Sequence, residues 1–179
     1  KKQPHSQKLL QTLINKKITL IDYECLTNQN KARLIGFGKY AGIVGTYNAF
    51  YAYGARTGTF DLKRAYLCED QSEMEAELNK IILPDHYKIV LTGSGRVASG
   101  AVAMMEKMKI QKVSPPSFLR DSFKEPVYTQ LEIEDYNKRK DGKEWKHSDF
   151  FEDPTGFESN FLRFTKVADM YISCHFWDA

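Results

Sequence analysis

Hydrophobic positions along this chain change period several times, and the changes divide it into short elements. Over residues 6–16, Leu9, Leu10, Leu13 and Ile14 recur at helical spacing behind Ser6, a natural cap, so a first helix is predicted. Residues 18–23 and 33–37 read as strands and the polar run 28–31 as the turn of a hairpin. From about 41 to 56, small and aromatic residues alternate with Gly42, Gly45 and Gly54. Each glycine weakens an isolated helix by about 1 kcal/mol, so their retention predicts close packing against another element. Gly58 stops that helix.

Residues 70–82 carry Met74, Leu78 and Ile81 on one face of an amphipathic helix that Pro84 ends. A β-branched run, Ile89, Val90 and Leu91, leads into glycines and a helix reaching about Met108, followed by a short strand at 110–113 and a short helix near 117–121. Residues 127–131 read as a strand, 132–142 as a charged segment and loop, 157–168 as a helix and 170–173 as the last strand. Strands alternating with helices predict an α/β fold, part of a Rossmann-like doubly wound parallel sheet, preceded by an N-terminal helix and hairpin.

The densest chemistry lies at the turn after the strand at 88–91. Gly93, Gly95 and Ala98 stand at G-x-G-x-x-A spacing between a strand and a helix, the context a dinucleotide loop requires. Gly93 suits the tight turn, Gly95 keeps side chains away from a pyrophosphate, and Ala98 lets the helix approach the strand. Ser94, Arg96 and Val97 complete the loop, whose helix N-terminus offers unpaired amides and a positive dipole end to phosphates. A glycine turn that merely joins strand to helix is the plainer alternative. The strand at 110–113 runs into Ser114, Pro115 and Pro116 without the Asp or Glu that binds ribose hydroxyls in NAD sites, so NAD and NADP both stay open.

Composition narrows the class. In 179 residues, 42% hydrophobic, the chain has enough apolar material for a real core. Its 26 Lys and Arg against 23 Asp and Glu give a net charge of +3, too balanced to imply a nucleic-acid partner, and no apolar run reaches membrane-span length. Cys25, Cys68 and Cys174 are odd in number and lack C-x-x-C spacing, which argues against a disulfide framework or zinc site and fits the cytoplasm. His5, His86 and His147 share no metal spacing, so no metal is expected, and Asp149, Glu152 and Asp153 read as a solvated loop. Self-association as a homo-oligomer stays open.

Three ordered segments resemble one family, the lysine-forming saccharopine dehydrogenases with the related alanine dehydrogenase and transhydrogenase group. Residues 19–45, TLIDYECLTNQNKARLIGFGKYAGIVG, resemble its acidic strand end, turn, arginine and F-G-x-x-A-G-x-x-G helix start. LTGSGRVASGAV resembles its glycine loop, and ADMYISC a later strand that ends beside the cofactor. Residues 120–165 match poorly and read as an insertion or variant. Within the group the chain looks like a bacterial branch often labelled alanine dehydrogenase.

That resemblance implies residues 1–57 as the end of an N-terminal substrate domain with a connecting helix, and 58–179 as the first part of the nucleotide-binding domain. It implies that Lys1 follows a family histidine in an H-x-x-K motif, and that Arg33 lies near substrate carboxylates, a role suited to a bidentate guanidinium. A solvated hairpin residue is the other reading of Arg33. His175, where the last strand ends, is a candidate to approach a nicotinamide or else a packed edge residue. Ser94 and Ser99 are candidates for phosphate contact, although Ser99 could serve only its helix backbone, and Ser114, after the strand at 110–113, is a further cofactor-binding candidate. The expectation is the nucleotide-binding portion of an NAD(P)-dependent oxidoreductase acting on an amino acid or opine-like amine, with an amino acid or oxo acid as its small-molecule partner, a piece of a longer protein. A non-catalytic Rossmann module is the rival.

Overall fold

A computed structural model describes residues 4–175, which divide into two compact units, Lys1–Phe37 and Gly38–Ala179.

In the first unit, α1 (Gln7–Asn15) forms as predicted, yet Leu9, Leu10 and Ile14 all stay exposed. The hairpin contracts to a single antiparallel bridge between Thr27 and Arg33, and residues 18–23 form no strand. Local side-chain bonds take the backbone first. Asp22 accepts from the Glu24 N–H to start a 3₁₀ turn, Tyr23–Cys25, and Asn28 accepts from the N–H groups of Asn30 and Ala32.

The second unit is a Rossmann-like α/β sandwich. Helix α2 (Gly38–Thr57) buries Ile43, Tyr47 and Phe50, and α3 (Gln71–Glu77) starts at Asp70, whose carboxylate accepts from the Glu73 N–H. Strand β1 (Lys88–Thr92) leads through the glycine turn into α4 (Arg96–Lys107), then β2 (Gln111–Lys112) and α5 (Pro115–Arg120). Next come β3 (Val127–Leu131), α6 (Ile133–Tyr136), β4 (Asn137–Arg139), α7 (His147–Glu152), β5 (Phe157–Ser159), α8 (Leu162–Thr165) and β6 (Met170–Ser173).

Four strands form one parallel sheet in the order β2-β3-β1-β6. With a neighbour on each edge, β1 buries Ile89, Val90 and Leu91 completely, which is why its sequence is an apolar run rather than an alternation. Successive residues point to opposite layers. Ile89, Leu91, Tyr128 and Ile172 pack with α2 and α4, whereas Val90, Val127 and Leu131 pack with Phe118 of α5 and Phe164 of α8. The sheet is therefore covered on both faces, as right-handed crossovers running in opposite directions require.

The strand read at 110–113 forms as β2 but does not lie beside β1: it pairs with β3, and β3 takes the place next to the glycine strand. Nor are residues 157–168 one helix. Phe157 opens β5 against β4 inside a ring cluster with Trp145 and Phe150, and Asn160 N–H turns back to the Tyr136 carbonyl, so only Leu162–Thr165 is α-helical. The segment 132–142 gains α6 and β4 for the same reason.

Helices α2 and α4 touch backbone to backbone. A methyl group on Gly42 would overlap the Val97 carbonyl oxygen, and one on Gly100 would overlap the Lys39 carbonyl oxygen. The glycines of α2 thus serve close packing, except Gly45, which faces open space.

Candidate functional site

The glycine turn is held from both sides at the carboxyl end of the sheet. Gly93 N–H donates to the Leu131 carbonyl at 2.9 Å, Gln130 Nε2 donates to the Gly93 carbonyl at 2.9 Å, and Cys174 N–H donates to the Thr92 carbonyl at 3.0 Å. Gly93 has φ +95°, and a Cβ there would lie 3.0 Å from the Cys174 carbonyl oxygen, so conformation and space both require glycine. Gly95 differs. It is the N-cap of α4 in an extended conformation, no side chain caps the helix, and a Cβ on it would meet nothing within 4 Å.

The first α4 backbone bond, Ser99 N–H to Gly95 O, leaves the N–H groups of Arg96, Val97 and Ala98 at the open end of a 12-residue helix. Ser94 and Arg96 are exposed there, while Ala98 is fully buried, giving the close helix approach that its place in the motif demands. Ser99 Oγ donates to the Arg96 carbonyl at 2.8 Å, the helix-backbone role.

Because β3 lies next to β1, the residue after β3 takes the position that an acid holds in a dinucleotide site. That residue is Glu132. It is half-buried and adjoins Leu131, whose carbonyl holds the turn, and with Asp135 it forms a capping box at the start of α6. The sequence reading looked for this acid at the end of 110–113, the next strand along the chain. The signal was present, since Val127, Tyr128 and Thr129 form a strong strand stretch that ends in an acid. Burial raises the carboxyl of nearby Asp135 above the usual range, and its Oδ2 accepts the Glu132 N–H at 2.9 Å.

On the other side of β1, His175 Nδ1 lies 2.7 Å from Thr92 Oγ1, and its ring stacks on Tyr136 with centroids 5.6 Å apart. Burial lowers its pKa from the ordinary 6.5. Sequence reasoning placed this histidine correctly at the end of β6.

Ser114 is not drawn into this group: it follows β2, separated from β1 by β3, and its hydroxyl accepts the Ser117 N–H as the cap of α5. Arg33 belongs to the first unit and pairs with Glu24, Nη2 to Oε2 at 3.1 Å, with both side chains about half exposed. Lys1 lies outside the described residues. Among the described residues, no three His, Cys, Asp or Glu side chains gather as a metal ligand set, and no helix is long and apolar enough to cross a membrane.

With this geometry in view, the chain can be set beside known proteins. It is 26% identical over 132 residues to the mitochondrial alpha-aminoadipic semialdehyde synthase of Mus musculus, a stretch covering 64% of this chain and 14% of that protein. Its likeness to the alpha-aminoadipic semialdehyde synthase of Arabidopsis thaliana is 27% over 141 residues, 68% of this chain and 12% of that protein. These are distant, partial relatives. They are enzymes of amino-acid chemistry, and this chain spans about one-seventh of the mouse protein's length. No known family profile matches the chain.

Proposed function

We propose that residues 38–175 are the nucleotide-binding portion of an NAD(P)-dependent oxidoreductase acting on an amino acid or opine-like amine, of the saccharopine or alanine dehydrogenase type. The observation that carries this is Gly95. It sits uncapped at the open end of α4, at the carboxyl edge of the central strand, with space where any other residue would place a side chain.

In this reading the amides of Arg96, Val97 and Ala98 hold the pyrophosphate, with Ser94 and the Arg96 guanidinium beside it. Glu132 takes the adenosine ribose, a carboxylate arrangement that favours NAD over NADP because a 2′-phosphate would meet like charge. The bound nicotinamide supplies hydride transfer; this chain binds, orients and excludes water at the carboxyl edge of the sheet. The distant relatives make amino-acid chemistry the best-supported substrate class. Arg33 and Lys1 keep their resemblance-based roles at substrate, Arg33 after exchanging Glu24 for a substrate carboxylate. Unpaired thiols at Cys25, Cys68 and Cys174 suit a reducing compartment such as the cytoplasm.

Titration with NADH and NADPH tests the binding step, with micromolar NADH binding and weaker NADPH binding as the expected result. Following NADH absorbance with pyruvate plus ammonia, or 2-oxoglutarate plus lysine, tests turnover. Binding without turnover under every such pair would replace the enzyme by a non-catalytic module, and binding of neither cofactor would end both readings.

A further inference from the structure

A cavity of about 290 Å³ opens among α5, α6 and α8, lined by Pro115, Pro116, Leu119, Arg120, Asp135 and Arg163. Phe118 of α5 and Phe164 of α8 fill the core layer beneath it, so the cavity lies on the face of the sheet opposite α4. No residue of the glycine turn lines it. Drug-sized ligands occupy pockets of roughly 300–1,000 Å³, so this one takes a smaller metabolite.

Its charged groups are incompletely matched by the protein. Arg139, elsewhere in the same unit, is held by Asp141 and Asp149, whereas among the described residues no carboxylate side chain stands within ion-pairing distance of Arg120 or Arg163. Arg120 Nε donates to the Pro116 carbonyl at 3.3 Å, and Arg163 Nη2 donates to the main-chain carbonyl of Asp135 at 2.8 Å. Each bond anchors its guanidinium at the cavity wall and leaves most of the fork for another partner. Arg163 also lies over the Phe164 ring, 4.8 Å from its centroid. Asp135 spends Oδ2 on the Glu132 N–H at 2.9 Å, and burial raises its carboxyl above the usual range even with Arg163 near. The ionised carboxylate is therefore under-compensated by the protein's own cations.

We propose that this cavity binds an α-amino dicarboxylate, with Arg120 and Arg163 each taking a carboxylate and Asp135 taking the ammonium. The assignment goes beyond the dinucleotide reading and stands without it. Planar guanidinium forks match carboxylates bidentately. Two arginines and one aspartate on the wall complement, group for group, a ligand with two carboxylates and one ammonium. Pro115, Pro116 and Leu119 give a carbon skeleton an apolar surface to lie on, which inorganic phosphate could not use. An ammonium beside Asp135 supplies the counter-charge that its burial calls for.

Calorimetric titrations with L-glutamate, glutarate and inorganic phosphate test this, on the wild-type chain and on Arg120→Gln, Arg163→Gln and Asp135→Asn. L-Glutamate is expected to bind saturably, and each arginine variant to weaken it at least tenfold. Asp135→Asn keeps an oxygen for the Glu132 N–H, so α6 should hold. That variant is expected to weaken L-glutamate about tenfold, while glutarate, which has no ammonium, binds at least as well as to wild type. No L-glutamate binding to the wild-type chain, binding that neither arginine variant alters, or phosphate held as tightly as L-glutamate would each overturn the proposal. Equal losses of L-glutamate and glutarate at Asp135→Asn would overturn it too. Thermal midpoints report whether each variant folds, and should Arg163→Gln fail to fold, Arg120→Gln decides. NADH titration of the same wild-type chain reads the dinucleotide site separately, so either reading can fail alone.

Discussion

Helix α4 carries two glycines five residues apart that do opposite things. Gly100 faces α2, where a single added methyl would overlap the Lys39 carbonyl, and it is buried with Ala98, Ala101 and Met104 in the layer between helix and sheet. Gly95 stands at the helix N-terminus, where the same methyl would touch nothing. A glycine can be required where space is full, or it can leave space open. In the dinucleotide reading the second kind leaves room for a pyrophosphate, at a cap where Ser or Asp would serve the free amides slightly better than Gly.

The largest effect should come from filling the full side. Gly100→Ala removes a helix-interior glycine, which in an open position stabilises by up to about 1 kcal/mol. Here the sign reverses, because α2 and α4 must separate and lose packing around Ile43 and Ala101. The expected cost is about 3 kcal/mol, or roughly 10 °C in Tm, read by calorimetry or denaturant midpoint. A Tm equal to or above wild type would mean that the helices do not meet as described.

Filling the empty side should spare the fold and remove the ligand. Gly95 already has extended backbone angles, φ −80° and ψ −166°, open to any residue. Gly95→Val is therefore expected to unfold within about 1 kcal/mol of wild type and yet to bind NADH at least a hundredfold more weakly, about 2.7 kcal/mol, because its side chain occupies the pyrophosphate position. Unchanged NADH affinity would remove the phosphate role from this turn.

Most of the second unit was legible in the sequence, and the reason is local. The β1 run, the glycine turn, α4 and β6 each follow from a few neighbouring residues whose periodicity or turn chemistry admits one answer. What was not legible depends on pairing between distant segments. Gln111 and Lys112 look like the next strand after α4, and they are a strand, but nothing local tells them to pair with Val127 and Tyr128 and leave β1 to β3. Glu132 was overlooked through that one misplacement. Phe157 was read into a helix for a similar reason, since its partners, Trp145 just before α7 and Phe150 within it, come from a segment whose course no period announces. In the first unit, Asp22 and Asn28 carry local turn chemistry strong enough to override the strand pattern of residues 18–23.

The pairing that displaced β2 can be tested through Glu132. Glu132→Gln keeps side-chain length at the start of α6 and removes the charge, so the fold should hold. NADH affinity is expected to fall about tenfold, while NADPH affinity stays level or rises because its 2′-phosphate no longer faces a carboxylate. Equal losses for the two cofactors would place Glu132 away from the ribose, and the dinucleotide would then lie elsewhere along the edge.

Gly45 supplies the smallest effect and separates packing glycines from idle ones. It lies three residues after Gly42 in the same helix, α2, so a view that treats every glycine there as a contact residue predicts that alanine harms both. The structure distinguishes them: a Cβ on Gly42 strikes the Val97 carbonyl, and one on Gly45 meets open space. Gly45→Ala should therefore stabilise the chain by about 0.5–1 kcal/mol, since alanine restricts the unfolded chain and suits a helix interior. Its Tm should rise by a few degrees while NADH affinity stays constant. A loss of stability at Gly45 comparable to that at Gly100 would show that the outer face of α2 is covered by something, and dilution of the protein would tell whether that cover is a second copy of the chain, because a homo-oligomeric contact weakens as concentration falls.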